Sequence, residues 1–212
     1  MFQTRSKIRL QNVIRNRMTR ENIQATGNFL ATYHSDLTYI QNFHRYKSDQ
    51  LSTTDYTAKD TGTFYSFVIE FKIVRNFSKG SVDKLLKETI KWVDGRHADN
   101  VDLFADRLRK AGLTRGHTMT SLASKILFLN NPWTILPMDS LVRQVLNQKD
   151  KLYSNYAVNL LTFKKANRDT IDKCLRHAAP LTAIIEKDFK IKNIKTIATN
   201  RLVDKLLWTA GK

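Results

Sequence analysis

The sequence predicts an all-α protein, and three observations carry that expectation. Glycine and proline are scarce, 7 and 3 among 212 residues, which argues against a turn-rich sandwich or barrel. Apolar residues recur at intervals of three and four over much of the chain, the period of a helix face. Hydrophobic residues make up 42% of the sequence and aromatics 10%, enough to build the core of one full-sized domain or of two small ones sharing an interior.

The first twenty residues carry Arg5, Lys7, Arg9, Arg15, Arg17 and Arg20, with Ile8, Leu10, Val13, Ile14 and Met18 interleaved and no acid before Glu21. Three readings fit: an amphipathic helix packed on its own domain, a basic helix on nucleic acid, or a mitochondrial presequence. The stretch lacks the apolar h-region of a secretory signal. Lys47 to Gly62 is rich in Ser, Thr and Asp and reads as a long loop or a connection between subdomains. Residues 1–62 are therefore read as a basic N-terminal segment and linker that can join one lobe, and residues 63–212 as a helical core. Short strands near the start are the one departure from helix that the pattern allows.

Phe64, Phe67, Val68, Phe71, Val74 and Phe77 lay one stripe along a helix. Ser81 is a candidate N-cap for a helix over 82–93, with Leu85, Leu86 and Ile90 facing inward. Asp99 or Asn100 can cap a helix over 101–111, which Gly112 terminates. A turn over 113–119 leads to a helix from about Thr120 to Leu129. A break at Asn130-Asn131-Pro132 and an extended piece Ile135-Leu136-Pro137-Met138 follow. The next helix starts near Asp139 and runs to about Asn147, and three or four more fill 152–210.

Lys and Arg number 36 against 19 Asp and Glu, a net charge of +17. A folded domain with that surplus points to a polyanion, nucleic acid first. The single cysteine, Cys174, excludes an intrachain disulfide framework and a multi-cysteine zinc site; beside Ile171, Leu175 and Ala178 it reads as a small core hydrophobe. Apolar runs such as Ile126 to Leu129 are far too short to span a membrane. His34, His44 and His97 lack metal-ligand spacing, and no Gly-rich phosphate loop, Gly-x-Ser-x-Gly elbow or kinase set is present. No cofactor, metal or membrane partner is expected.

The chemistry is concentrated in Gly116 to Leu146. Pro137 keeps Leu136 extended, and Asp139 falls at the N-cap of the following helix, where the macrodipole favours the ionised carboxylate. A fixed carboxylate there, one short arm from the helix bearing Lys125, can stabilise a developing cation or orient a water; it can also do no more than cap the helix. A rival constellation is Asp60, Glu70 and Lys72, which matches the spacing of metal-dependent nucleases. Glu70 and Lys72 would need to share one side of a strand, whereas the helical stripe turns them about 200° apart.

Ser121-Leu122-Ala123-Ser124-Lys125, the apolar run, Pro132 and Leu136-Pro137-Met138-Asp139-Ser140 with Val142 resemble the helix–hairpin–helix DNA glycosylase superfamily. The likeness is to its prokaryotic 8-oxoguanine-DNA-glycosylase-like branch, some of whose relatives act in phage defence. Arg201 to Trp208 resembles the closing helix of that branch. The resemblance implies an all-α, two-lobed fold with a cleft, double-stranded DNA as partner, and Asp139 as the catalytic carboxylate. The family hairpin reads Leu-Pro-Gly-x-Gly; here Leu113 to Thr120 holds one glycine, a degenerate form in which Thr118 and Thr120 hydroxyls and helix-start amides would take the phosphate.

Strand-cleaving members carry a lysine where Ser121 stands, with Lys125 about one turn later, so attack by water is favoured over an imine on Lys125. His117, Thr118, Thr120, Ser121, Ser124, Ser140 and Arg143 are the DNA-contact candidates this implies. Trp133 and Trp208 are candidates to stack on a flipped base, with core packing as the alternative for each. The expected activity is base excision that leaves an abasic site, in DNA repair or antiviral defence, by a monomer in the prokaryotic cytosol. The alternative is a non-catalytic DNA- or RNA-binding protein on the same scaffold.

Overall fold

A computed structural model describes residues 18–73 and 82–212. The expectations for the Arg-rich first seventeen residues, for the Ser81 cap and for Val74 and Phe77 lie outside the described residues. Among these residues the secondary structure is helical throughout, with no strand. The helices are α1 (Arg20–Lys47), α2 (Thr53–Thr57), α3 (Phe64–Glu70), α4 (Val82–Val93), α5 (Val101–Lys110), α6 (Thr120–Asn130), α7 (Ser140–Val145), α8 (Tyr153–Ala166), α9 (Arg168–Glu186) and α10 (Ile194–Ala210). No helix among the described residues is long and apolar enough to cross a membrane.

The long α1 begins where Thr19 accepts a hydrogen bond from the Asn22 amide at 3.2 Å. Its stripe of Ala25, Phe29, Tyr33, Leu37, Ile40 and Phe43 is buried and packs chiefly against α10 and α9, with α6 alongside. Both α6 and α10 are buried on most of their circumference, the signature of a central helix. The chain's first described helix and its last therefore share one core.

Local signals set several boundaries as expected. Asn100 Oδ1 accepts from the Leu103 amide at 3.0 Å and starts α5. Gly112, at φ +73, ends it in the left-handed conformation that lets the Leu113 amide reach Leu108 O at 3.0 Å. The segment 47–62 is more structured than a loop, since Ser52 caps the short α2 within it. Gly62, at φ +80, lies so close to α1 that a Cβ would meet Thr38 Cγ2 at 2.8 Å. Asn42 Nδ2 donates to Gly62 O there at 2.9 Å.

The aromatic stripe is shorter as a helix than its spacing suggests. α3 stops at Glu70; Phe71 caps it and Lys72 turns to φ +55. The Lys125 ammonium donates to Phe71 O at 3.0 Å, taking the carbonyl that a continuing helix would offer to residue 75. The left-handed backbone at Lys72 thus ends what the periodicity would extend, and the tertiary hydrogen bond from Lys125 accompanies the break.

Candidate active site

The site is built on the arm over 131–139 between α6 and α7. An extended segment in a protein interior must find partners for every backbone N–H and C=O. Here side chains supply them. Tyr153 on α8 accepts from the Leu136 amide at 2.8 Å and lies 3.1 Å from Leu136 O. The Tyr156 hydroxyl donates to Pro137 O at 3.1 Å. Ser124 accepts from the Met138 amide at 2.9 Å, and Ser121 donates to Met138 O at 2.6 Å. Upstream, Asn200 Nδ2 on α10 donates to Pro132 O at 2.9 Å and Trp133 O at 2.8 Å. The arm is thereby locked to α6, α8 and α10 together.

Asp139 follows as the N-cap of α7, extended at φ −129 and ψ 173, with Oδ1 accepting from the Val142 amide at 2.9 Å. The carboxylate is half-buried, and among the described residues Oδ2 has no hydrogen bond. Lys125 is half-buried on α6. Burial lowers its pKa below the usual lysine value; the charges of Asp139 and Asp204 oppose the shift, and Lys72 adds to it.

Asp204 on α10 belongs to the same cluster, although sequence reasoning assigned it no role. Burial raises its pKa against the opposing charges of Arg201 and Lys205, while Asp139 and Asp36 push it further up. Arg201 Nη1 donates to Asp204 Oδ2 at 3.0 Å, and Arg201 Nε and Nη2 grip Asp36 of α1 at 2.7 and 3.1 Å. The guanidinium also lies 5.1 Å from the Phe128 ring of α6. Two opposite charges three residues apart on a helix, amid Leu202, Val203, Leu206 and Leu207, were the available signal. Tyr153, Tyr156 and Asn200 offered no comparable one, because their roles depend on where three separate helices meet.

The other candidates are distributed more widely. His117 and Thr118 are exposed in the turn before α6, and Thr114 Oγ1 donates to His117 O. Thr120 is buried at the start of α6, and Met119 gives that start no side-chain cap. Ser140 is exposed beside Asp139. Arg143 is half-buried, with Nη1 on Asp150 O at 3.0 Å. Trp208 is half-buried under the Lys212 ammonium, 3.6 Å from its ring. Trp133 is half-buried, and its indole N–H donates to Lys192 O at 2.9 Å.

Asp60 and Glu70 line one shallow recess with Tyr39, whose hydroxyl donates to Glu70 at 2.6 Å. Lys72 lies beyond the end of α3, so a helical angle does not describe its relation to Glu70. Among the described residues no group of three or more His, Cys, Asp or Glu side chains is placed to hold a metal. Comparison with known proteins returns no matching family model, no matching curated protein and no matching solved structure.

Proposed function

We propose that the protein is a DNA glycosylase that hydrolyses the N-glycosidic bond of a modified or damaged base flipped out of double-stranded DNA. The observation that carries the reading is the Asp139 carboxylate. It is held by the Val142 amide of α7 at the end of an arm whose backbone is pinned on three sides. Cleavage of the glycosidic bond builds positive charge on the sugar, and a preorganised carboxylate beside it stabilises the transition state without reorganising. In this reading a water attacks the sugar carbon. Lys125, tethered to Phe71 O, stays out of covalent chemistry and adds positive charge near the leaving base. Ser121 and Ser124 act by holding the arm. His117, Thr118 and Ser140 stand exposed where a phosphate backbone would pass.

The surplus of positive charge over the chain supports a polyanionic partner, since Lys and Arg displace condensed counterions. A role against phage carrying modified DNA extends the resemblance stated above; excision in repair uses the same chemistry, in the prokaryotic cytosol in either case. The test is mass spectrometry of bases freed from a panel of damaged and phage-type modified duplexes. The wild type should release a base, and Asp139→Asn should lose about 10²-fold or more of that rate. The variant should melt like the wild type, because Asn caps a helix as well as Asp. No release across the panel points to the non-catalytic DNA-binding alternative, and full activity in Asp139→Asn removes that residue from the mechanism.

A further inference from the structure

Trp133 borders a second recess that the carboxylate site does not use. It lies between the last turn of α1 and residues 187–193, has a volume of about 540 Å³ and shares no lining residue with the Asp139, Lys125 and Asp204 cluster. That volume falls in the ~300–1,000 Å³ range of ligand sites. The Trp133 indole N–H is already bonded to Lys192 O at 2.9 Å, so the ring is fixed and offers a ligand π surface. His44 stands beside it, ring centroids 5.7 Å apart, with Nε2 3.2 Å from Asn130 O. Burial lowers the His44 pKa, so this imidazole is neutral at neutral pH and contributes a second ring without charge.

Charge comes from Arg45, Lys190 and Lys192, which line the recess with Asp188 as its one carboxylate. Among the described residues none of the three cations forms an ion pair. The 187–193 loop is braced on α1: the Lys190 amide donates to Gln41 Oε1 at 3.2 Å, and the Phe189 ring meets His34 edge-on at 5.3 Å. The Ser48 and Asp49 amides, each at 3.1 Å, already satisfy His44 O and Tyr46 O at the end of α1, which blunts the negative helix end against an anion.

We propose that this recess holds an unpaired nucleotide of a DNA strand, with its base on Trp133 and its flanking phosphates on Arg45, Lys190 and Lys192. A ring alone suits any flat apolar ligand, and cations alone suit any anion. A fixed indole inside a rim of unpaired cations matches the alternation of base and phosphate along a single strand. The inference takes nothing from the glycosidic chemistry; it needs a DNA partner and no role for Asp139.

The experiment measures binding of the full chain to a fluorescein-labelled oligothymidylate and to an abasic strand of equal length, by anisotropy over a salt series. The wild type should prefer the thymidylate strand. Trp133→Leu should abolish the preference by weakening thymidylate binding about tenfold, the effect of about 1.4 kcal/mol of stacking. Trp133→Phe should keep most of it. Arg45→Ala and Lys192→Ala should weaken both strands and flatten the salt slope by about 0.7 each. Arg176→Ala, the same charge change on the exposed face of α9, should do much less.

Equal affinity of the wild type for the two strands, or an equal effect of Arg176→Ala, overturns the proposal. Thermal melts check that Trp133→Leu is folded; should it unfold, the Phe and charge variants decide the matter. A protein that binds as described and frees no base refutes the glycosylase reading and leaves this one standing. One that frees a base without preferring the thymidylate strand does the reverse.

Discussion

Arginine meets carboxylate in two very different settings in this protein. At the seam of α1 and α10, Arg201 is 2% exposed and divides its donors between Asp36 and Asp204. On the outer surface of α4 and α5, Arg107 sets Nε and Nη2 on Glu88 at 3.0 and 2.8 Å, with 51% of its side chain in water. The pair chemistry is the same and the solvent differs. Water can replace either partner of the outer pair, whereas nothing replaces a partner inside the seam. Buried charge is therefore committed to the architecture, and it lies where Asn200, the residue before Arg201, anchors the arm that carries Asp139. Exposed charge stays in contact with water.

Breaking the seam should give the largest effect. Arg201→Met leaves Asp36 and Asp204 without their cation and should cost about 3–5 kcal/mol in denaturant unfolding. A loss below about 1 kcal/mol would put the seam on a par with a surface pair. An intermediate effect is expected from Ser124→Ala, which strips the buried Met138 amide of its acceptor and should cost about 1–3 kcal/mol. If the arm positions Asp139, base release should fall further than stability explains.

The smallest effect belongs to Glu88→Gln, about 1 kcal/mol or less at neutral pH. Burial pushes the Glu88 pKa up, but hydrogen bonds and charge from Arg107 and Lys91 prevail and hold it below the usual carboxylate range. A carboxyl with a depressed folded-state pKa contributes stability above its unfolded value and loses it as pH falls through the folded one. Urea midpoints of wild type and variant should therefore separate near neutral pH and converge below the folded-state pKa of Glu88. A gap that persists in acid would assign the effect to packing.

The helices with local punctuation were legible. Asn100, Gly112, the Asn-Asn-Pro break and the Pro137-Met138-Asp139 arm each act on their own neighbours, so residue order suffices to place α5, α6 and α7. The long α1 carried a readable signal in Phe29, Tyr33, Leu37, Ile40 and Phe43 at helical intervals, and only the basic segment before it was singled out. The end of α3 was not legible, because it falls at a left-handed Lys72 with no glycine or proline to mark it, where Lys125 from far along the chain reaches Phe71 O. The same holds for the hydroxyls of Ser121 and Ser124. Their types suit a DNA backbone, yet the structure turns both onto Met138.

By itself the sequence determined the helical class, the positive surplus and the placing of Asp139 at a helix start, since these follow from composition, period and adjacent residues. Only the tertiary structure decided that Asp204 joins Asp139 and Lys125, that Arg201 is buried between two acids, and that Trp133 borders a separate basic recess. Such groupings arise where helices distant in sequence pack together. Burial then sets the charge state and partner of each group, and burial is a property of the packed core that no stretch of residues carries alone.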